Sequence, residues 1–151
     1  MTDPQFESQT PRLNLPLLFA GQSQKEGFVN EAFARIDALL HCAIEGQSAA
    51  PPPNPTEGQC WLVSSTAAGE WTGHAGHLAA LESGNWVFFV PRNGMRVLNR
   101  STGQEIRYNG IWKVPSRPAL PSGGTTIDNE ARAAIAALLQ CLENAGVIPN
   151  T

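Results

Sequence analysis

Four short punctuation marks cut the stretch from Gln59 to Val114: Gly84-Asn85, Asn93-Gly94, Thr102-Gly103 and Asn109-Gly110. Each supplies a residue that tolerates the positive φ of a tight hairpin. They recur every seven to nine residues, a spacing that predicts short antiparallel strands in a small sheet or barrel-like sandwich and excludes parallel βαβ units. Trp86-Val87-Phe88-Phe89-Val90 is nearly all apolar, as a strand covered on both faces should be. Met95 to Arg100 and Glu105 to Tyr108 partly alternate and read as half-exposed, and Ile111 to Val114 closes a β-meander. Pro91 belongs at a strand end, because it has no N–H to give a ladder.

The same stretch holds all four tryptophans (Trp61, Trp71, Trp86, Trp112) and the only tyrosine, Tyr108. A small sheet needs such large side chains to make a core, and Trp61, Trp86 and Trp112 lie inside apolar runs. Trp71, between Glu70 and Thr72 in a glycine-rich segment, is the one that could be exposed and stack on a sugar face.

Proline fences the β stretch on both sides. At 151 residues the chain can bury one moderate core with appendages. The segmentation reads as an extended arm (1–21), an amphipathic helix region (22–46), a proline-rich spacer (47–57), a tryptophan-rich antiparallel β domain (58–114), a Pro/Gly linker (115–125) and a C-terminal helix (126–148). The fold class is α+β. Pro11 and Pro16 favour an extended path for the arm, and its apolar end at Leu15, Leu17, Leu18 and Phe19 needs a surface to pack on.

Both helices carry a four-three apolar seam. In the first, expected from about Asn30 to Glu45, Val29, Phe33, Ile36, Leu40 and Ala43 form it. Asn30 is the expected N-cap, preferred to a Ser23–Glu26 capping box, and Gly46 the expected C′ residue. Glu31 and Arg35 stand one turn apart in the favourable order. In the second, Ala131, Ile135, Leu138, Leu142 and Ala145 repeat the spacing, with Asp128 as N-cap and Gly146, Val147 and Ile148 as a Schellman end. Helices this short are marginal alone, so each seam must be buried, either on the chain's own sheet or on other copies.

Chemistry is sparse. The net charge is −3, with no basic field for nucleic acid. No run approaches the roughly 20 apolar residues of a membrane span, and the first residues lack a signal peptide's basic and apolar regions, so synthesis in the cytoplasm as a soluble protein is expected. Cys42, Cys60 and Cys141 are far apart and odd in number; with two on expected helices, they read as buried thiols and not as a disulfide framework. His74 and His77 have an i, i+3 spacing that could hold a metal given a third ligand. None stands near them in sequence and Gly73 and Gly76 suggest a turn, so no metal or cofactor is expected. Between Gln59 and Val114 the only acids are Glu70, Glu82 and Glu105, and Ser64–His74 or Cys60–His77 pairings rest on residue type alone. No catalytic residue is assigned. Trp71, His74 and His77 are candidate glycan contacts.

The segments LNLPLLFAGQSQKEGFVNEAFARIDALLHCAIEG, PTEGQCWLV, GEWTGHAGHLAALESGNWVFFVPRNGMRV and YNGIWKV resemble a domain of unknown function found in tail-fibre proteins of alphaproteobacterial prophages and gene transfer agents. The resemblance runs from about Pro11 to Val114. Its most specific pieces are Gln22-Ser23-Gln24-Lys25 to Asn30-Glu31, Arg35-Ile36-Asp37, Trp71-x-Gly73-His74-x-Gly76 to Trp86, and Pro91 to Gly94. It implies a non-enzymatic structural component of a phage-like particle, a homotrimer with its helices along the axis, in contact with other tail or baseplate proteins. Relatives continue into a longer distal region, which leaves room for an adaptor or a minimal fibre here. A carbohydrate-binding module that recognises host cell-surface glycans is the alternative.

Overall fold

The computed structural model describes residues 9–13, 15–18 and 25–149. The fold is α+β, and the chain divides into two units, Met1–Val90 and Pro91–Thr151. The β stretch expected to be one domain is therefore shared between them. Neither unit closes its strands into a barrel.

In the first unit, helix α1 spans Glu26–Leu39, starting and ending earlier than the expected Asn30 to Glu45. Lys25 stands at the N-cap without a side-chain cap. Asn30 is spent elsewhere: its amide accepts from Leu18 N at 2.8 Å and donates to Leu18 O at 3.0 Å, pinning the arm to the helix. Ser23 of the capping-box reading lies outside the described residues. The helix ends where Leu40 turns extended (φ −73°, ψ 120°), and Arg12 satisfies the carbonyls freed there, donating to the backbone oxygens of Asp37 and Ala38 and, just beyond the helix, of His41. His41 then turns left-handed at φ 50°. Gly46 is thus not the helix's C′ residue. Of the expected features, the Glu31–Arg35 ion pair is present at 2.6 Å.

The described part of the arm is folded, not extended. Gln9 and Pro16 form an antiparallel bridge, Thr10 N donates to Leu15 O at 3.0 Å, and Pro11–Leu13 make the turn between them. That turn docks on α1 through the buried Asp37, whose carboxylate accepts from Thr10 Oγ1 (2.7 Å), Arg12 N (3.0 Å) and Leu13 N.

Beyond α1, β1 (Ala43–Ile44) and β2 (Gln47–Ser48) occupy positions expected for helix and for spacer. A strand replaces helix at Ala43, so this member of the seam is not helical. β2 runs parallel to β3 (Cys60–Val63), with Gln47 opposite Leu62. β4 (Leu78–Glu82) and β5 (Asn85–Phe89) complete a mixed sheet in the order β2-β3-β4-β5. The β4–β5 hairpin turns on Ser83 (φ 50°) and Gly84 (φ 73°), one residue earlier than Gly84-Asn85, with Glu82 paired to Asn85. Both central residues have positive φ, as a type I′ turn requires. The Glu57 carboxylate accepts from the amides of Ser83 (2.8 Å) and Gly84 (2.6 Å) and holds it.

In the second unit, β6 (Arg96–Asn99), β7 (Gln104–Asn109) and β8 (Ile111–Lys113) follow one another as an antiparallel meander. After an exposed linker, α2 spans Asn129–Asn144, and Asp128 caps it by accepting from Ala131 N at 2.9 Å. Its end is the expected Schellman motif: Gly146 N donates to Glu143 O (2.8 Å) and Val147 N to Leu142 O (2.9 Å), with Gly146 at φ 68°. Gly146 O accepts from Glu105 N at 2.7 Å, joining the helix end to β7. Glu143 is buried and ion-paired to Arg117.

A histidine and aromatic face on the first sheet

Strand alternation sorts the first sheet into two faces. Trp61, Ala79 and Phe88 stand in one row across β3, β4 and β5, as do Leu62, Leu78 and Phe89 on the other face. Phe89 lies under the Arg35 guanidinium of α1, 5.9 Å from its ring centroid.

The Trp61 face is covered by the Ser64–His77 connection, which folds back and seats Trp71 at 0% exposure. Trp71 packs with Val63 and Ala79, while Trp61, Ala67, Trp86 and Phe88 surround them half-buried. Trp71 meets Trp86 edge to face, centroids 5.0 Å apart and planes at 88°, the arrangement the ring quadrupoles favour. Removing a tryptophan so placed costs on the order of 3–5 kcal/mol. Trp71 is thus the keystone of the face and offers no ring to a sugar, which corrects its assignment as a glycan contact. The indole N–H groups of Trp61 and Trp71 are buried without a hydrogen-bond partner.

His74 and His77 do come together. His74 lies flat on Phe88, with centroids 3.6 Å apart and planes 3° from parallel. Its Nδ1 is 3.3 Å from Nδ1 of His77. Gly73 (φ 88°) and Gly76 (φ 77°) make the left-handed bends that bring the rings round, and a Cβ at either would meet nothing within 4 Å, so backbone freedom is their role. The backbone is tied to β3 on both sides: Gly76 N donates to Val63 O and Val63 N to His77 O, both at 2.9 Å. Partial burial, and secondarily the charge of His74, push the His77 pKa below its ordinary value.

At the Ser64–His74 and Cys60–His77 pairings the bonds that are seen go to other partners. Ser64 Oγ lies 3.0 Å from Thr66 Oγ1, and Cys60 is hydrogen-bonded to Cys42. Among the described residues, no group of three or more His, Cys, Asp or Glu side chains is placed to hold a metal ion. All three cysteines are free. Cys42 and Cys60 are buried as expected, although Cys42 follows the helix instead of lying on it, and Cys141 is exposed on α2. Cys42 with Cys60, and Asp37 with Thr10 and Arg12, are clusters that sequence spacing does not announce, because tertiary folding alone brings their members together.

The seam residues divide. On α1, Val29 and Phe33 are half-buried while Ile36 and Leu40 are 47% and 49% exposed; the helix buries Asp37 and Ala38 instead. On α2, Ile135 and Leu138 are 41% and 59% exposed, Ala131 and Ala145 are exposed and Leu142 is half-buried; the helix buries Leu139 and Glu143. No described helix is long and apolar enough to cross a membrane.

No curated protein matches the chain. Residues 29–113 match a family described as a protein of unknown function, DUF2793, a span that takes in the C-terminal part of α1 and every strand of both units. The chain belongs to the DUF2793 family.

Proposed function

We propose that this chain is a structural, non-enzymatic component of a phage or gene-transfer-agent particle, a tail-fibre or fibre-attachment protein that works by assembly and surface contact. It associates with copies of itself as a homotrimer and with neighbouring tail or baseplate proteins. The observation that carries this reading is on α2. The row Ala131, Ile135 and Leu138 stays open, one position away from the Leu139–Glu143 face that the chain buries. Burying a Leu or Ile is worth about 1.5–3 kcal/mol, and a four-three row is the pattern by which helices of separate chains pack. The resemblance to tail-fibre domains supplies the setting.

Light scattering coupled to size exclusion tests it. The expected mass is that of three chains, and Leu138→Glu is expected to give monomers with unchanged helix content. A native chain that stays monomeric at every concentration overturns the assembly.

A second reading, recognition of a host surface glycan, is favoured by the half-buried Trp61, Trp86 and Phe88 on one face of the first sheet. Titration with envelope sugars should then quench tryptophan fluorescence; absence of any change would remove this reading and leave the structural one intact.

A further inference from the structure

We infer that His74 and His77 form a two-histidine binding site for a borderline divalent transition-metal ion, with Zn²⁺ the reference ion. Two zinc–imidazole bonds of about 2.0–2.1 Å, set at the tetrahedral angle, place their nitrogens about 3.3–3.4 Å apart. The two Nδ1 atoms stand at 3.3 Å. Without an ion the same pair is a long hydrogen bond, just beyond the roughly 2.7–3.2 Å usual for an N–H donor on oxygen, so the spacing accommodates a shared ion with little movement.

The site is built before any ion arrives. Phe88 fixes the plane of the His74 ring by stacking, and the Gly76 N–H and the His77 carbonyl are tied to the backbone of Val63. Turn hydrogen bonds from His74 N to Trp71 O and from His77 N to His74 O, both 3.0 Å, brace the connection. A ligand held in this way loses little freedom on coordination, so more of the bond energy appears as affinity. Two protein ligands leave two tetrahedral positions for water or for an oxygen donor of another molecule, one more than the single open position of a three-ligand catalytic zinc centre, so the site is open, unlike closed structural ones. It does not depend on the assembly reading, because both ligands come from one chain.

Zn²⁺ titration of the full chain by calorimetry, with Co²⁺ absorption as a second probe, tests the site. His74→Phe keeps an aromatic ring for the Phe88 stack and removes the ligand; His77→Ala removes the other. One ion per chain is expected in the native protein and in His41→Ala, Cys42→Ser and Cys141→Ser. No binding is expected in His74→Phe or His77→Ala at concentrations that saturate the native chain. In the native protein, Zn²⁺ should shift the imidazole nitrogen resonances of His74 and His77 and leave those of His41 in place, a readout that needs no variant to fold. Binding that survives both histidine substitutions, binding lost only in a cysteine variant, or no binding at millimolar Zn²⁺ overturns the site.

Discussion

Thr10 donates its hydroxyl to Asp37 at 2.7 Å across 27 residues of sequence, and both side chains are buried. The same carboxylate accepts the backbone amides of Arg12 and Leu13, while the Arg12 guanidinium closes the end of α1. One aspartate therefore ties the N-terminal turn to the helix. Bonds to a charged acceptor are worth more than neutral ones, and donors stranded in the interior carry their own cost.

Asp37→Ala is accordingly expected to destabilise the chain by about 3 kcal/mol, and Thr10→Val by about 1 kcal/mol. Urea unfolding measures both. An Asp37→Ala variant within about 0.5 kcal/mol of the native protein, the range of ordinary surface changes, would show that the turn is not docked. Gly58 offers an independent check, because a Cβ there would lie 3.0 Å from Arg12 Cγ and 3.2 Å from Pro11 Cβ at φ +78°. Gly58→Ala should loosen the same contact.

Gly146 closes α2 at φ 68°, and a Cβ placed on it would meet Gly103 O at 3.4 Å. Gly146→Ala is expected to cost roughly 1–2 kcal/mol from the left-handed backbone alone, and Gly146→Asn less, because asparagine tolerates that region. The ordering Gly, Asn, Ala in helix melting followed at 222 nm checks it. Equal stability for all three would mean that the Schellman end contributes nothing.

These two helices show what a sequence discloses. The ends of α2 could be read from its cap residues, inside the broader 126–148 segment, because those signals are local: Asp128 caps an amide three residues on, and Gly146 supplies its own left-handed turn. Those of α1 could not, because its partners come from outside the helix. Arg12 takes its last carbonyls and Asn30, which looks like a cap, is committed to Leu18. The seam spacing at Leu40 and Ala43 runs on past the helix into β1. At the aromatic face, the i, i+3 spacing of His74 and His77 was visible. Their convergence was not, since it depends on two left-handed glycines and on a Phe88 ring contributed by β5. The burial of Trp71 beneath its own glycine-rich connection is likewise a tertiary fact.

The thiols should differ sharply in reactivity. Cys42 and Cys60 are buried and hydrogen-bonded to each other. The bond to Cys60, aided by the Arg12 charge against the opposing effect of burial, lowers the Cys42 pKa; the same bond and burial raise that of Cys60 well above its usual value. Thiolate is the reactive form, but access comes first. Iodoacetamide should modify the native chain at Cys141 alone, and all three cysteines in denaturant, as read by mass spectrometry of peptides. Rapid native labelling of Cys60 would contradict its burial.

His77 gives the fold a pH dependence whose sign follows from linkage. In the unfolded chain it titrates near the ordinary histidine value of about 6.5; in the native state its pKa is lower, chiefly through partial burial and then through His74. Between the two values the unfolded state holds more protons, so stability rises with pH across that window. Read downward, stability is full above about pH 6.5 and declines as pH falls from there through the native pKa, below which the penalty is constant. His77→Gln cannot take up the proton, so its stability should change less over the same interval. Chemical denaturation at several pH values, paired with an NMR titration of the His77 ring, measures both quantities. A native midpoint at or above that of a free histidine, or a His77→Gln variant with the native slope, would remove the burial and the His74 charge as the cause.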